Sequence, residues 1–417
     1  MSSIIASVVS IDEDSSRNFL STTQQEINST LPNSSSSPSS SFIVSNPMEP
    51  IDVARTGLNV SQVVENLKQL EERKNAKGIV QLCLVHGKED ALIAEECLWA
   101  IKNLAAVRKY RSRVAEAGAI DIIMDLLQLY GEKNARVCEE GVLALFNLGM
   151  EEKNQNIIEN KNGLDLVLFM LESHNLTDSR LARPGCRAIL RLTSRMNVLK
   201  KMNTTIKKKL CSIIVDIIQK QKSKNDDVAI MGSMAIKNLA ADAEIKELLI
   251  EAGAINVVLR LLIEAGDNVL LLSSSIGALA EICSDSSAQS KLLILNQNGC
   301  DYIVKAMERC ANKDLQLCLE GCKFIWNVIY DSKSQIKVGE NAVEQVLNSL
   351  KKFGKTNARI ATNGSGALWN LASGNVKHKK LILDGGAQAL LNEILALWID
   401  DRFVQYHVNG ALNKLLN

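Results

Sequence analysis

The chain has 417 residues, 46% of them hydrophobic, which is enough to bury one or more sizeable cores. Aromatic residues make up only 4%, so Leu, Ile, Val and Ala carry the apolar content, a balance that favours helix-on-helix packing over a sandwich or barrel. Lys and Arg number 48 against 47 Asp and Glu, and the net charge of +1 removes any whole-chain drive towards nucleic acid or anionic membrane.

The first 50 residues hold 16 Ser, four of the five Pro and no Gly, and the run 33–41 is low in complexity. Such a composition cannot offset its ordering entropy, so residues 1–50 are expected to form a disordered Ser/Pro-rich tail ahead of a folded domain over 51–417. The short apolar run from Ile4 to Ile11 has no basic segment before it and Asp12, Glu13 and Asp14 after it, which argues against a secretory signal. The longest apolar stretch, 254–282, is cut by Arg260, Glu264 and Asp267, so no membrane span is expected. Ten Cys lie within apolar helical patterns, as suits a reducing compartment, and a cytoplasmic location, with the nucleus as a second one, is the expectation.

From residue 51 onward a single Pro remains (Pro184), apolar residues recur at helical spacing, and the alternation of strands is missing, so this part is all-α. Internal repeats then decide the architecture. The blocks CLWAIKNLA (97–105), GVLALFNLG (141–149), GCRAILRLT (185–193), GSMAIKNLA (232–240), SIGALAEIC (275–283), GCKFIWNVI (321–329), GSGALWNLA (364–372) and VNGALNKLL (408–416) align on one anchor residue each. The anchors are Ala100, Ala144, Ala188, Ala235, Ala278, Phe324, Ala367 and Ala411, spaced by 44, 44, 47, 43, 46, 43 and 44 residues. Gly stands three before the anchor in five blocks (Gly141, Gly185, Gly232, Gly321, Gly364). A second motif, EAGAI at 116–120 and 251–255 with NKNGL, NQNGC and LDGGA in related places, marks a sharp turn between helices where Gly supplies positive φ.

This period and these blocks, ALWNLA (367–372) and the EAGAI turns above all, resemble the armadillo repeat family over roughly residues 60–417. The resemblance implies a right-handed superhelical solenoid of about eight three-helix repeats. Residues 60–74, with Val63, Val64, Leu67 and Leu70 at helical spacing, are expected to cap its N-terminal end.

Enzyme signatures do not survive inspection. Gly354-Lys355-Thr356 lacks the leading Gly of a phosphate loop, since Ser349 stands at its place. Cys318 and Cys322 have no partners to complete a zinc site and read as buried thiols, and the four histidines (His86, His174, His378, His407) share no metal-ligand spacing. Paired acids such as Glu95/Glu96 and Glu139/Glu140 read as charges favourable to helix starts. No cofactor, metal or catalytic residue is expected.

The residues three after each anchor read Asn103, Asn147, Arg191, Asn238, Glu281, Asn327, Asn370 and Lys414. In the family that this chain resembles, the third helices line a concave groove, and an Asn ladder there holds the main chain of an extended peptide; a carboxamide offers that peptide both donor and acceptor. The competing reading is an Asn that merely bonds a neighbouring helix end. Trp99 stands four before Asn103, the pairing of nuclear-import adaptors in the family, whereas Trp326 and Trp369 directly precede their Asn and read as core.

Between 183 and 224 there are twelve basic residues against one acid, a local charge of +11. Arg183, Arg187, Arg191 and Arg195 recur every four residues, which predicts a stripe along one helix face. Unpaired, such a stripe suits carboxylates or phosphates; the alternatives are a solvated or internally paired face, and a lid formed by the tail's own acids. Nucleic acid is disfavoured, because no stacking aromatics are interleaved. The expected function is a non-enzymatic adaptor or scaffold binding an extended acidic or phosphorylated partner segment through Trp99, Asn103, Asn147, Arg183, Arg187, Arg191, Asn238, Asn327 and Asn370. The alternatives are a regulator of small GTPases or, less favoured because Arg17 is the one basic residue in 1–50, a nuclear-import cargo adaptor.

Overall fold

Helix triplets succeed one another along the chain. The computed structural model describes residues 57–174, 179–220, 226–310 and 314–417, so the expected tail at 1–50 lies outside the described residues. The first repeat consists of α1 (Val60–Glu72), α2 (Ala76–His86) and α3 (Ala91–Ala106), and the second of α4 (Arg108–Glu116), α5 (Ala119–Leu126) and α6 (Ala135–Leu148). The third holds α7 (Glu152–Asn160), α8 (Gly163–Ser173) and α9 (Ser179–Leu192), and the fourth α10 (Met196–Lys201), α11 (Thr204–Lys220) and α12 (Asp226–Leu239). In the fifth stand α13 (Ala243–Glu251), α14 (Ala254–Glu264) and α15 (Val269–Cys283), and in the sixth α16 (Ala288–Asn296), α17 (Gly299–Cys310) and α18 (Leu315–Val328). The seventh comprises α19 (Ser332–Val338), α20 (Glu340–Ser349) and α21 (Ala358–Ala372), and the eighth α22 (Val376–Asp384), α23 (Ala387–Leu397) and α24 (Arg402–Leu416). The described residues contain no strand, and this is an armadillo-type helical solenoid. The N-terminal segment expected to cap it is α1, which packs on α2 and α3 as the first helix of the first repeat.

Each third helix packs along the next, α3 on α6, α6 on α9 and so on to α21 on α24, and all eight anchors are fully buried in this layer. The starts of these helices share one device. Asp90, Asn134, Asn268, Asp314, Asn357 and Asp401 accept backbone N–H bonds from the first turn of α3, α6, α15, α18, α21 and α24.

Glycine three before the anchor has a packing cause. A Cβ would come within 2.6 Å of Leu127 Cδ2 at Gly141, 2.7 Å of Leu171 Cδ2 at Gly185, 2.5 Å of Ile218 Cγ1 at Gly232 and 2.7 Å of Leu350 Cγ at Gly364; at Gly321 it would strike Met307. In each case the obstacle comes from the second helix of the same repeat or its last turn, so the glycine sets how closely second and third helices cross.

The turns divide into two types. Gly118 (φ 95°), Gly253 (φ 90°) and Gly386 (φ 79°) take the left-handed conformation before the second helix, as expected. In NKNGL and NQNGC the expectation is corrected: positive φ falls on Asn162 (57°) and Asn298 (58°), and Gly163 and Gly299 already belong to the helix. A side chain at Gly163 or Gly299 would collide with Ile158 or Ile294, so these glycines are there for space and the Asn tolerates the turn.

Candidate functional site

Seven of the eight ladder residues are half-buried on the third helices, about one turn on from their anchors, and Lys414 is exposed. Several also tie one repeat to the one before. Nδ2 of Asn147 donates to the Lys102 carbonyl at 3.0 Å, that of Asn327 to Ala280 at 2.9 Å, and that of Asn370 to Trp326 at 2.9 Å. Asn103 donates instead to the Glu71 carboxylate on α1 at 3.2 Å, and Asn238 makes no side-chain hydrogen bond among the described residues. One N–H of each bonded amide is committed, which fixes its orientation and leaves Oδ1 and the second N–H for another partner. Trp99, 38% exposed, sits beside this row with Lys102 Nζ at 5.9 Å from its ring centre.

The basic stripe is corrected in two respects. Helix α9 ends at Leu192, so Arg195 falls outside it, as the residue capping α10, and pairs with Glu159 at 2.7 Å. Arg191 donates through Nε to the Gly149 carbonyl at 2.6 Å and through Nη2 to Met150 at 3.2 Å, closing the end of α6 as the ladder Asn do elsewhere. Much of the surrounding charge is likewise internal. Arg183 pairs with Asp227 at 2.8 Å, Lys201 with Glu159 at 2.7 Å, Lys207 with Glu244 at 2.7 Å and Asp242 at 3.3 Å, and Lys209 with Glu172 at 2.5 Å. These are struts between successive repeats. Burial pushes Lys207 down, but the hydrogen bonds it donates to Glu244 and Asp242 and their charges outweigh it and hold its ammonium above the ordinary value.

Arg187 stands apart. It is half-buried on α9, its guanidinium 5.8 Å from the ring centre of Phe146, and it makes no ion pair among the described residues. Burial, together with the charge of Arg183 and against that of Asp227, pushes its pKa down to about 10. An underpaired, partly desolvated cation of this kind is stabilised by an added anion.

The sequence reading of Trp326 and Trp369 as core is corrected: both are half-buried, each beside its ladder Asn. Their positions depend on glycines that stand four residues before the next ladder position. The Trp326 ring lies over Gly366, where a Cβ would meet Cε2 at 2.8 Å, and the Trp369 ring lies over Gly410, where a Cβ would fall within the ring. Gly277 occupies the same register position, and over it Lys237 of α12 meets Glu320 of α18 at 2.7 Å. Likewise Trp326 of α18 passes over Gly366 to meet His407 of α24, edge to face at 4.7 Å. Two side-chain bridges thus cross a whole repeat. The register of Gly277, Gly366 and Gly410 was present in the sequence, but only the structure shows what lies over them.

Sites considered for chemistry resolve into packing. Gly354 closes a π-turn at the end of the second helix of its repeat, and Asn357 starts α21, so no phosphate loop forms there. All ten cysteines are buried thiols, and burial pushes Cys322 up to about 12. Glu95 and Glu140, expected to serve helix starts, instead pair with Arg136 at 3.0 Å and Lys102 at 2.7 Å of the neighbouring repeat. Among the described residues no group of three or more His, Cys, Asp or Glu could hold a metal ion, and no helix is long and apolar enough to cross a membrane.

No protein-family model matches the chain. It is similar to human adenomatous polyposis coli protein 2, with 22% identity over 187 residues that cover 43% of this chain and 8% of that protein. Among solved structures, an engineered protein superposes with a TM-score of 0.58 at 19% identity, covering 85% of this chain and 94% of its own. A designed armadillo repeat protein in complex with the peptide (KR)4 superposes with a TM-score of 0.46 at 20% identity, covering 58% of this chain and 97% of its own. The overlap with the curated relative is a small part of that protein's length, and the likeness to the structures is one of fold.

Proposed function

We propose that the chain is a protein-interaction adaptor or scaffold whose ladder face holds an extended acidic or phosphorylated segment of a partner protein. The observation that carries this reading is Arg187, a half-buried guanidinium with no ion pair of its own on a face otherwise rich in internal pairs. The ladder amides on either side, with acceptor and donor capacity left over, support a main-chain hydrogen-bonding role that tolerates many side chains. Neighbouring Arg183 and Arg191 help by tying α9 to α12 and to the end of α6, and they are not counted as anchors.

The test is capture of partners from lysate by the full chain and by its Arg187→Glu variant, with helicity checked by circular dichroism. Losing a buried Arg anchor typically costs about 2 kcal/mol or more, roughly thirtyfold in affinity. Loss of a discrete set of partners carrying acidic or phosphorylated segments is the expected result. An unchanged set would overturn the reading and turn attention to a small GTPase as partner.

A further inference from the structure

The three glycines four before a ladder position mark places where side chains lie flat on the backbone of a third helix. At Gly277 and Gly366 the overlying residue is met by a side chain from the repeat beyond, Glu320 and His407 respectively. Over Gly410 the Trp369 ring instead borders an open depression of about 700 Å³, lined by Trp369, Arg402, Tyr406, Asn409, Asn413 and Lys414 among others. Tyr406 is 66% exposed, and its ring packs against that of Trp369, tilted 52° at a centroid distance of 5.7 Å, so the two rings form one aromatic surface bordering the depression. No acidic residue lines it, and neither Arg402 nor Lys414 makes an ion pair among the described residues.

We propose that this depression is a second docking site, for a partner segment carrying a nonpolar side chain flanked by carboxylates. The nonpolar side chain lies in the depression against Trp369 and Tyr406, where exposed aromatic surface is removed from water. The carboxylates reach Arg402 at one end and Lys414 at the other, which accounts for a rim with cations and no acid. These two cations belong to one helix, twelve residues apart, a rise of about 18 Å that an extended segment covers in about five residues. The segment therefore runs along α24, whereas the ladder reading has a segment crossing from repeat to repeat. Gly410 is what makes the site: any larger residue would lift Trp369 into the depression.

The test uses the full chain and a fluorescein-labelled, end-blocked Asp-Ser-Leu-Phe-Ser-Asp peptide followed by fluorescence polarisation. Two companion peptides replace both Asp by Lys, or Leu-Phe by Ser-Ser. The expected result is saturable binding of the first peptide, weakened about tenfold or more in either companion and in the Arg402→Glu, Lys414→Glu double variant. Binding that falls in Arg187→Glu, five repeats away, but not in the Arg402→Glu, Lys414→Glu double variant would place the peptide on the ladder site proposed above and overturn this proposal. Absence of saturable binding up to about 1 mM peptide, equal binding of the Lys peptide, or indifference to the double reversal would each overturn the proposal. Both reversed residues are exposed, so the variant keeps the fold that the comparison needs.

Discussion

Asn327 and Asn238 occupy equivalent ladder positions, yet only Asn327 bonds the carbonyl of the preceding third helix. Their alanine variants separate the two roles an Asn ladder can have. Asn327→Ala leaves the Ala280 carbonyl without that donor and is expected to cost about 1 kcal/mol in urea unfolding. Asn238→Ala is expected to change stability by less than about 0.5 kcal/mol and to weaken partner capture instead. If Asn238→Ala changes neither, the amides serve only to join repeats. At this scale the sequence displayed which residues recur but not what they touch. The row of ladder positions was legible from an exact register, whereas Arg191 ending on carbonyls just past α6 and Asn147 on one of α3 depends on how far each helix overlaps its neighbour. Arg195 was misplaced because four-residue spacing says nothing of where a helix stops; Thr193 and Ser194 bond back to the Ile189 and Arg191 carbonyls as α9 ends.

Helix starts were more legible than the blocks alone suggested. Asp or Asn stands ten residues before every anchor: Asp90, Asn134, Asp178, Asn225, Asn268, Asp314, Asn357 and Asp401. Six of these cap a third helix, while Asp178 and Asn225 lie outside the described residues. Asp314→Ala removes the bond to the Leu317 amide and is expected to cost about 1 kcal/mol, read from the shift in denaturation midpoint. The short first helices were harder to see, since Ser332–Val338 and Met196–Lys201 offer barely two turns of periodicity. One of them carries a pH dependence. On α22, burial holds the His378 imidazole below its ordinary value, with Glu340 and the Leu371 carbonyl opposing and Lys377 assisting; burial does the same to His407 on α24, against its bond to Phe403. The unfolded chain therefore binds protons at higher pH than the folded one, so stability is full above about pH 6.5 and declines as the pH falls below it. Chemical unfolding at pH 7.5 and 5.5 should show the loss, and a His378→Gln, His407→Gln double variant should flatten it.

In a solenoid each repeat ordinarily touches only its neighbours, and stability is a chain of unit and interface contributions. The Lys237–Glu320 pair breaks that rule by joining the fourth repeat to the sixth, and Trp326–His407 joins the sixth to the eighth. Both meet on the sixth repeat, through Glu320 and Trp326 of α18, so repeats four to eight are expected to unfold as a more cooperative block than repeats one to three. Glu320 is only 2% exposed and also accepts a bond from Gln316, so its carboxylate depends on the lysine above Gly277. Removing one partner of a buried pair costs about 3–5 kcal/mol, because the remaining charge is stranded. Lys237→Met should approach that loss, moderated by the partial exposure of the lysine, and a Lys237→Met, Glu320→Gln double variant should recover part of it. Hydrogen exchange distinguishes this from a local effect. Amides of α15, which lies beneath the bridge, and of α21 and α24 beyond it should lose protection together in Lys237→Met, while those of α3 and α6 keep theirs. Protection lost only within α12 and α18 would mean that the bridge stabilises its two ends without coupling the repeats between and beyond them.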